Sequence, residues 1–133
     1  MQIRIDKSAH VPIHDQIKDQ IIGLIHARQI QAGAQLPTIR ALSIDLAVNF
    51  NTVAHAYHEL DAEGIIETRR GEGTFVASTP DEAEMQTLRQ KTLEKLVNAL
   101  ISEARRLGYT SAELHTALAG HLPLGGEENN HNG

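Results

Sequence analysis

The sequence predicts a mostly α-helical chain that is interrupted once by a small β hairpin and then continues as a helical extension. Three observations predict it. Apolar residues recur at spacings of three and four through most of residues 13–60 and again beyond residue 81, whereas the period falls to two around residues 65–77. Glycine and proline stand where one pattern gives way to the next. The change of period separates the two structures because side chains repeat every 3.6 residues around a helix and every two along a strand.

In chain order, Ile3, Arg4, Ile5 and Asp6 alternate apolar with polar, the pattern of a short strand with one buried face. Pro12 then opens a helix in which Ile13, Ile17, Ile21 and Ile25 recur every fourth residue, with Ile22 and Leu24 beside them. Gly33 and Pro37 bracket the following loop. Thr38 is placed to cap a helix over residues 39–46, whose buried side carries Leu42 and Leu46. After Ala47 and Val48, Asn49 caps a second short helix in which Val53, Ala56, Tyr57 and Leu60 share a face, and Gly64 ends it as a left-handed residue. Two short helices joined so tightly form a helix-turn-helix.

Residues 65–70 and 74–77 read as strands, with Gly71, Glu72 and Gly73 as the turn between them. A hairpin directly after a helix-turn-helix is a wing, so residues 1–79 are expected to form a winged helix-turn-helix. Ser78, Thr79 and Pro80 mark its end. Residues 81–107 contain no glycine or proline, and Leu93, Val97, Leu100, Ala104 and Leu107 alternate spacings of four and three, the seam of a helix lying along another helix. Gly108 stops it, and Ser111 is expected to cap a last helix ending near residue 119. Residues 80–122 are therefore expected to be a two-helix dimerisation unit, and the polar, glycine-rich residues 123–133 a disordered tail.

A chain of 133 residues holds one domain and a short appendage, too little for a large catalytic fold. It has no cysteine, which removes disulfides, thiolate zinc sites and a catalytic thiol. The charged residues 1–7 lack a signal-peptide pattern and no segment is long and apolar enough to span a membrane, so a cytoplasmic protein is expected. The net charge of −5 runs against the basic footprint usual in nucleic-acid binding. Neither half relieves it, since residues 1–79 carry seven Lys/Arg against nine Asp/Glu and residues 80–133 five against eight. Any DNA affinity must come from local arrangement.

Five segments carry a family resemblance: Pro-Ile-His-Asp-Gln-Ile at 12–17, Leu-Pro-Thr-Ile-Arg at 36–40, Asn-Phe-Asn-Thr-Val-Ala-His-Ala-Tyr at 49–57, Glu-Leu-Asp-Ala-Glu-Gly at 59–64 and Arg-Arg-Gly-Glu-Gly-Thr-Phe-Val at 69–76. In this order and spacing the chain resembles the GntR superfamily of bacterial regulators, in its short YtrA-type form. It departs from the pattern at Phe50, where proline or arginine is usual, at His55, where arginine is common, and at His14, where tyrosine is usual. The resemblance implies a homodimer that binds a pseudo-palindromic operator on double-stranded DNA, most often as a repressor, and an operon that encodes an ABC transporter. The 54 residues from Pro80 onward are expected to hold no separate sensor domain. Any effector, whose identity the sequence does not give, would use the dimer interface or the junction at Ser78 to Pro80.

Asn51, Thr52, His55 and His58 fall off the apolar stripe of the second short helix, where they would face the major groove, and Asn49 stands with Thr52 near its N-terminus. Thr38 and Arg40 begin the preceding helix, suited to grip a phosphate, and both match family DNA-contact positions. Arg69 and Arg70, beside Gly71 and Gly73, would bring one guanidinium to a minor groove, with Arg70 and Gly71 favoured because strand side chains alternate.

Eight histidines raise the question of a metal. His55 and His58 are three apart on a helix and His10 and His14 four apart with Pro12 interrupting them, but neither pair brings a third ligand, so no metal or other cofactor is expected. The Gly-Glu-Gly turn lacks the helix and lysine of a phosphate loop, and Ser43 and Asp45 form no nucleophile–base pair, so no enzyme is expected. Two alternatives stand beside a DNA-binding regulator: a winged-helix module that docks on protein, favoured by the acidic charge, and a regulator that responds to metal through its histidines.

Overall fold

The computed structural model describes residues 1–122, and the expected tail at 123–133 lies outside them. The elements are α1 (Ile13–His26), α2 (Ile39–Leu46), α3 (Phe50–Ala62), β1 (Ile66–Arg69), β2 (Gly73–Val76), α4 (Glu82–Arg106) and α5 (Ser111–His121). This is a mostly helical chain with a two-stranded wing directly after a helix-turn-helix.

The isoleucine stripe of α1 is buried at Ile17, Ile21, Ile22 and Ile25. It joins Val53, Ala56, Tyr57 and Leu60 of α3, Leu42 of α2, and Ile65, Ile66 and Val76 of the hairpin region in one cluster. Burial of each large aliphatic side chain contributes about 1.5–3 kcal/mol, so this cluster orients α3 against α1 and α2. Lys18 adds a polar tie: its Nζ lies 2.7 Å from Glu63 Oε2 and 3.8 Å from Glu59 Oε1, joining α1 to the far end of α3. Desolvation works to lower the Lys18 pKa, but the hydrogen bond and charge of Glu63, with Glu59 and Asp15, outweigh it and raise the net value.

The turn between α2 and α3 is set by local chemistry. Thr38 Oγ1 accepts from the Ala41 amide at 3.0 Å, and Asn49 Oδ1 accepts from the Asn51 amide at 2.7 Å. Between them Ala47 adopts the left-handed conformation at φ 55°, which costs a non-glycine residue about 1–2 kcal/mol. The Ala47 and Val48 amides return to the Ile44 and Ser43 carbonyls, and Val48 packs against the core.

In the wing, Ile66 pairs with Val76, Glu67 with Phe75, Thr68 with Thr74 and Arg69 with Gly73. Gly73 sits at φ 126°, where an added Cβ would lie 2.6 Å from Gln35 Nε2. That closeness arises because residues 33–36 run along the outer edge of β2: the Leu36 amide donates to Thr74 O and the Val76 amide to Ala34 O, each at 2.8 Å. The exposed strand edge is thereby covered.

Residues 3–6 correct the sequence reading: they are extended, with Ile3 buried, yet pair with no strand. Side-chain amides of α1 take the partner's place. Gln20 Oε1 accepts from the Arg4 amide and its Nε2 donates to Arg4 O, while Gln16 does the same for Asp6. The spacings match, since four residues of helix rise about 6 Å and two residues of extended chain about 6.7 Å.

α4 begins on the winged unit. Asp81 Oδ1 accepts from the Glu84 amide, Met85 is buried in the core, Leu88 packs beside it, and Thr92 Oγ1 lies 3.3 Å from Asp19 Oδ1. The first compact unit accordingly runs from Met1 to Thr92, and a second begins at Leu93. In the second unit Gly108, at φ 90°, ends α4. Two details there differ from the sequence reading. The cap of α5 is Thr110, not Ser111, because Glu113 reaches back to the Thr110 amide while Thr110 Oγ1 accepts from the Glu113 amide. With both ends of that turn satisfied, α5 continues to His121, past the expected end at residue 119. Ile101 and Leu114 are half-buried, and a groove of about 340 Å³ lies between α4 and α5, lined by Val97, Ile101, Ala104, Leu114 and Leu118 among others.

Candidate nucleic-acid interface

The buried stripe of α3 fixes what its other face presents. With Val53, Ala56, Tyr57 and Leu60 inward, Asn51, His55 and His58 are exposed and Thr52 is half-buried. The Asn49 side chain uses its oxygen for the cap, leaving its amide hydrogens directed elsewhere. Thr38 likewise accepts within the helix start and keeps its hydroxyl hydrogen as a donor. Of the first-turn amides, those of Ala41 and Asn51 are taken by the caps and that of Thr52 by the Asn49 carbonyl, so what the two helix N-termini add to these side chains is chiefly their positive dipole ends.

The two N-termini are tied together. Tyr57 Oη, buried in the core, donates to the Pro37 carbonyl at 2.7 Å, so α3 holds the residue that precedes the α2 cap. Burial pushes the Tyr57 hydroxyl well above the usual phenol range, so it stays a donor. Arg40 is exposed, makes no ion pair with any described residue, and its guanidinium lies 5.8 Å from the centroid of Phe50, the first residue of α3. Phe50, a large apolar side chain left exposed at this point, was not singled out as a site residue by sequence reasoning. Its signal was the departure from proline or arginine at that position.

The wing treats its two arginines differently. Arg69 is held by Glu67, with Nε and Nη2 each 2.8 Å from Oε2, and lies over the Phe75 ring at 4.1 Å. Arg70 is exposed and makes no ion pair with a described residue. Gly71, at φ 77°, has open space where a Cβ would project, whereas Gly73 is closed in by Gln35.

His55 has neighbours that spacing did not reveal. Its ring stacks on His14 of α1 with centroids 3.9 Å apart, and its Nε2 lies 3.5 Å from Glu59 Oε2. The sequence reading paired His55 with His58 and His14 with His10; the fold brings His14 and His55 together, with Glu59 one turn further along α3. Glu59 could have been noticed as the fourth residue after His55, but the approach of His14 is a tertiary contact.

In the second unit Leu93, Val97, Leu100 and Leu107 are exposed, together with Leu96, which the seam omitted. Ala104 is half-buried on the groove side. No helix among the described residues is long and apolar enough to cross a membrane.

Comparison with known proteins agrees with this arrangement. Residues 13–76 match the profile of the gntR family of bacterial regulatory proteins. The chain is 36% identical over 104 residues to the HTH-type transcriptional regulator YhcF of Bacillus subtilis, covering 77% of this chain and 84% of that protein. It is 36% identical over 101 residues to the HTH-type transcriptional repressor YtrA of the same organism, covering 73% and 78%. Among solved structures it resembles a GntR family transcriptional regulator from Listeria monocytogenes, with a TM-score of 0.63 and 30% identity over 87% of this chain and 98% of that one. The AraR DNA-binding domain in complex with operator ORX1 is similar with a TM-score of 0.52 and 25% identity, over 58% and 96%. With its winged helix-turn-helix complete and its likeness extending past the wing into α4, the chain belongs to the gntR family of bacterial regulatory proteins and is of the YtrA type.

Proposed function

We propose that this protein represses transcription by binding a pseudo-palindromic operator as a homodimer. The observation that carries the reading is the polar set gathered at two joined helix N-termini: the caps Thr38 and Asn49, each with donor hydrogens left over, Arg40 on α2, and Asn51 and Thr52 on α3, with His58 one turn beyond. Asn51 and Thr52 read base edges in the major groove, Thr38 and Arg40 position the phosphate backbone, and Arg70 with Gly71 reaches the minor groove. Because Arg69 is held on the hairpin, its part is to stiffen the wing. His55 contributes less to base contact than His58, since its ring rests on His14. The operator complex of the AraR domain supports the DNA partner, and the repressor activity in the name of YtrA supports the direction of control.

The dimer reading rests on residues 80–122, above all the exposed Leu93, Val97, Leu100 and Leu107, with Ala104 at the groove. Leaving apolar surface wet costs about 25 cal/mol per Å², and a second copy of the same face is the simplest cover. Two recognition helices about 34 Å apart would then read successive major-groove faces of a palindrome.

A fluorescence anisotropy titration against the DNA upstream of the protein's own gene tests the reading. Affinity should fall steeply with salt, as Arg40, Arg70 and the helix N-termini displace counterions. Arg40→Ala should weaken specific and nonspecific DNA alike. Asn51→Ala should narrow the gap between them by about 1–3 kcal/mol. Absence of any salt-dependent binding would favour instead a protein-docking winged helix, the reading that the net charge of −5 supports.

A further inference from the structure

We infer that His14, His55 and Glu59 form a binding site for one divalent transition-metal ion of the zinc and nickel class, bridging α1 to α3. The three side chains come from two helices, and one ligand atom from each lies within 4.8 Å of the others. An ion bonded at about 2.0–2.1 Å holds tetrahedral ligands about 3.4 Å apart, so modest side-chain rotation closes the site. That rotation is available. His55 Nε2 stands 3.5 Å from Glu59 Oε2 and His14 Nε2 stands 3.3 Å from Asp15 Oδ1, both longer than the 2.7–2.9 Å typical of a charge-assisted hydrogen bond. The imidazoles stack with ring planes 20° apart, an arrangement in which neither ring satisfies the other's nitrogens.

The surroundings favour a cation. Glu59 and Glu63 share one lysine, Lys18, and Asp15 stands beside His14, leaving an excess of negative charge at the junction of α1 and α3. Glu59 Oε1 is buried without a hydrogen bond, with Lys18 Nζ 3.8 Å away, while Oε2 faces His55, so the carboxylate keeps acceptor capacity that a cation would use. His55 and Glu59 are partly open to solvent, so a water could fill the fourth position. Two imidazoles select zinc, nickel, cobalt or copper(II) over magnesium or calcium, and with no cysteine in the chain a thiolate-bound soft ion is ruled out as the intended guest. The ion would clamp the first turn of α1 to the recognition helix.

Isothermal titration of the tag-free full chain with Zn²⁺ should give one ion per chain, and Co²⁺ should give the visible bands of a four-coordinate site. Each of His14→Gln, His55→Gln and Glu59→Gln should weaken Zn²⁺ by at least about tenfold, as loss of a ligand exceeds the loss from an outer partner. His10→Ala and His58→Ala should leave the affinity unchanged. Zn²⁺ well above its Kd should raise the melting temperature by several degrees in the wild type and by distinctly less in the variants at the same concentration. Melting curves without metal identify any variant that fails to fold, and the remaining two then decide. No binding up to millimolar Zn²⁺, or binding that survives the double change His14→Gln with His55→Gln, overturns the site. Neither result depends on whether DNA binds.

Discussion

A single helix, α4, passes through two regions with opposite solvent histories. Met85 near its start is 3% exposed, locked into the core of the winged unit, while Leu93, two turns later, is 54% exposed. Upstream, each apolar stripe meets another from the same chain: the isoleucines of α1 face the valine, tyrosine and leucine of α3. Downstream, Leu96, Val97, Leu100 and Leu107 repeat with equal regularity and stay about half exposed. Periodicity therefore states that a face is made for burial but not which molecule buries it.

That contrast can be broken most directly by truncating one leucine on each side. Leu60→Ala should destabilise the winged unit by about 2–5 kcal/mol in urea unfolding, since Leu60 is fully buried. Leu96→Ala in a monomer should change little, and equal costs at low protein concentration would erase the distinction. Next in size, Leu100→Glu should turn a dimer into a folded monomer by light scattering and weaken operator binding by about a hundredfold or more, as one half-site replaces two. A dimer of unchanged mass would remove the second unit from the assembly.

Smaller changes sharpen the winged side. Tyr57→Phe deletes the bond to the Pro37 carbonyl and should cost about 1 kcal/mol, with a parallel loss of operator affinity as the two helix N-termini lose their common anchor. Unfolding unaffected by the change would mean that water replaces the hydroxyl. Ala47→Gly should instead stabilise by about 0.5–1 kcal/mol, because glycine accepts the left-handed turn that alanine adopts at a cost. A lower melting temperature would show that glycine's extra freedom in the unfolded chain outweighs the relief.

What was legible in the sequence follows the range of the interactions. Thr38, Asn49 and Gly64 were readable as helix ends because a cap is decided within three or four residues. Thr110 was readable too, through Glu113 three positions on, but its neighbour Ser111 also carries a hydroxyl and drew the assignment. The alternation at residues 3–6 correctly marked an extended segment with Ile3 inward, yet gave no sign that glutamines would serve as its partner. Arg69 and Arg70 could be told to point apart, while the roles of Glu67 and Phe75 in holding Arg69 required the register of the hairpin. His14 and His55 are 41 positions apart. Only the packing of α1 on α3 brings their rings together.

The glutamine clamp on residues 3–6 also sets a clock. Hydrogen exchange assigned from helices and strands alone would count the Arg4 and Asp6 amides as open, since they belong to neither. Both are bonded, one to Gln20 and one to Gln16, so they should exchange slowly. Their pace would follow the rotamer flips of two side chains and the fraying of the segment, not the opening of α1 itself. Two protected amides in an apparent coil would thus report, residue by residue, how often this leading segment lets go while the rest of the winged unit stays folded.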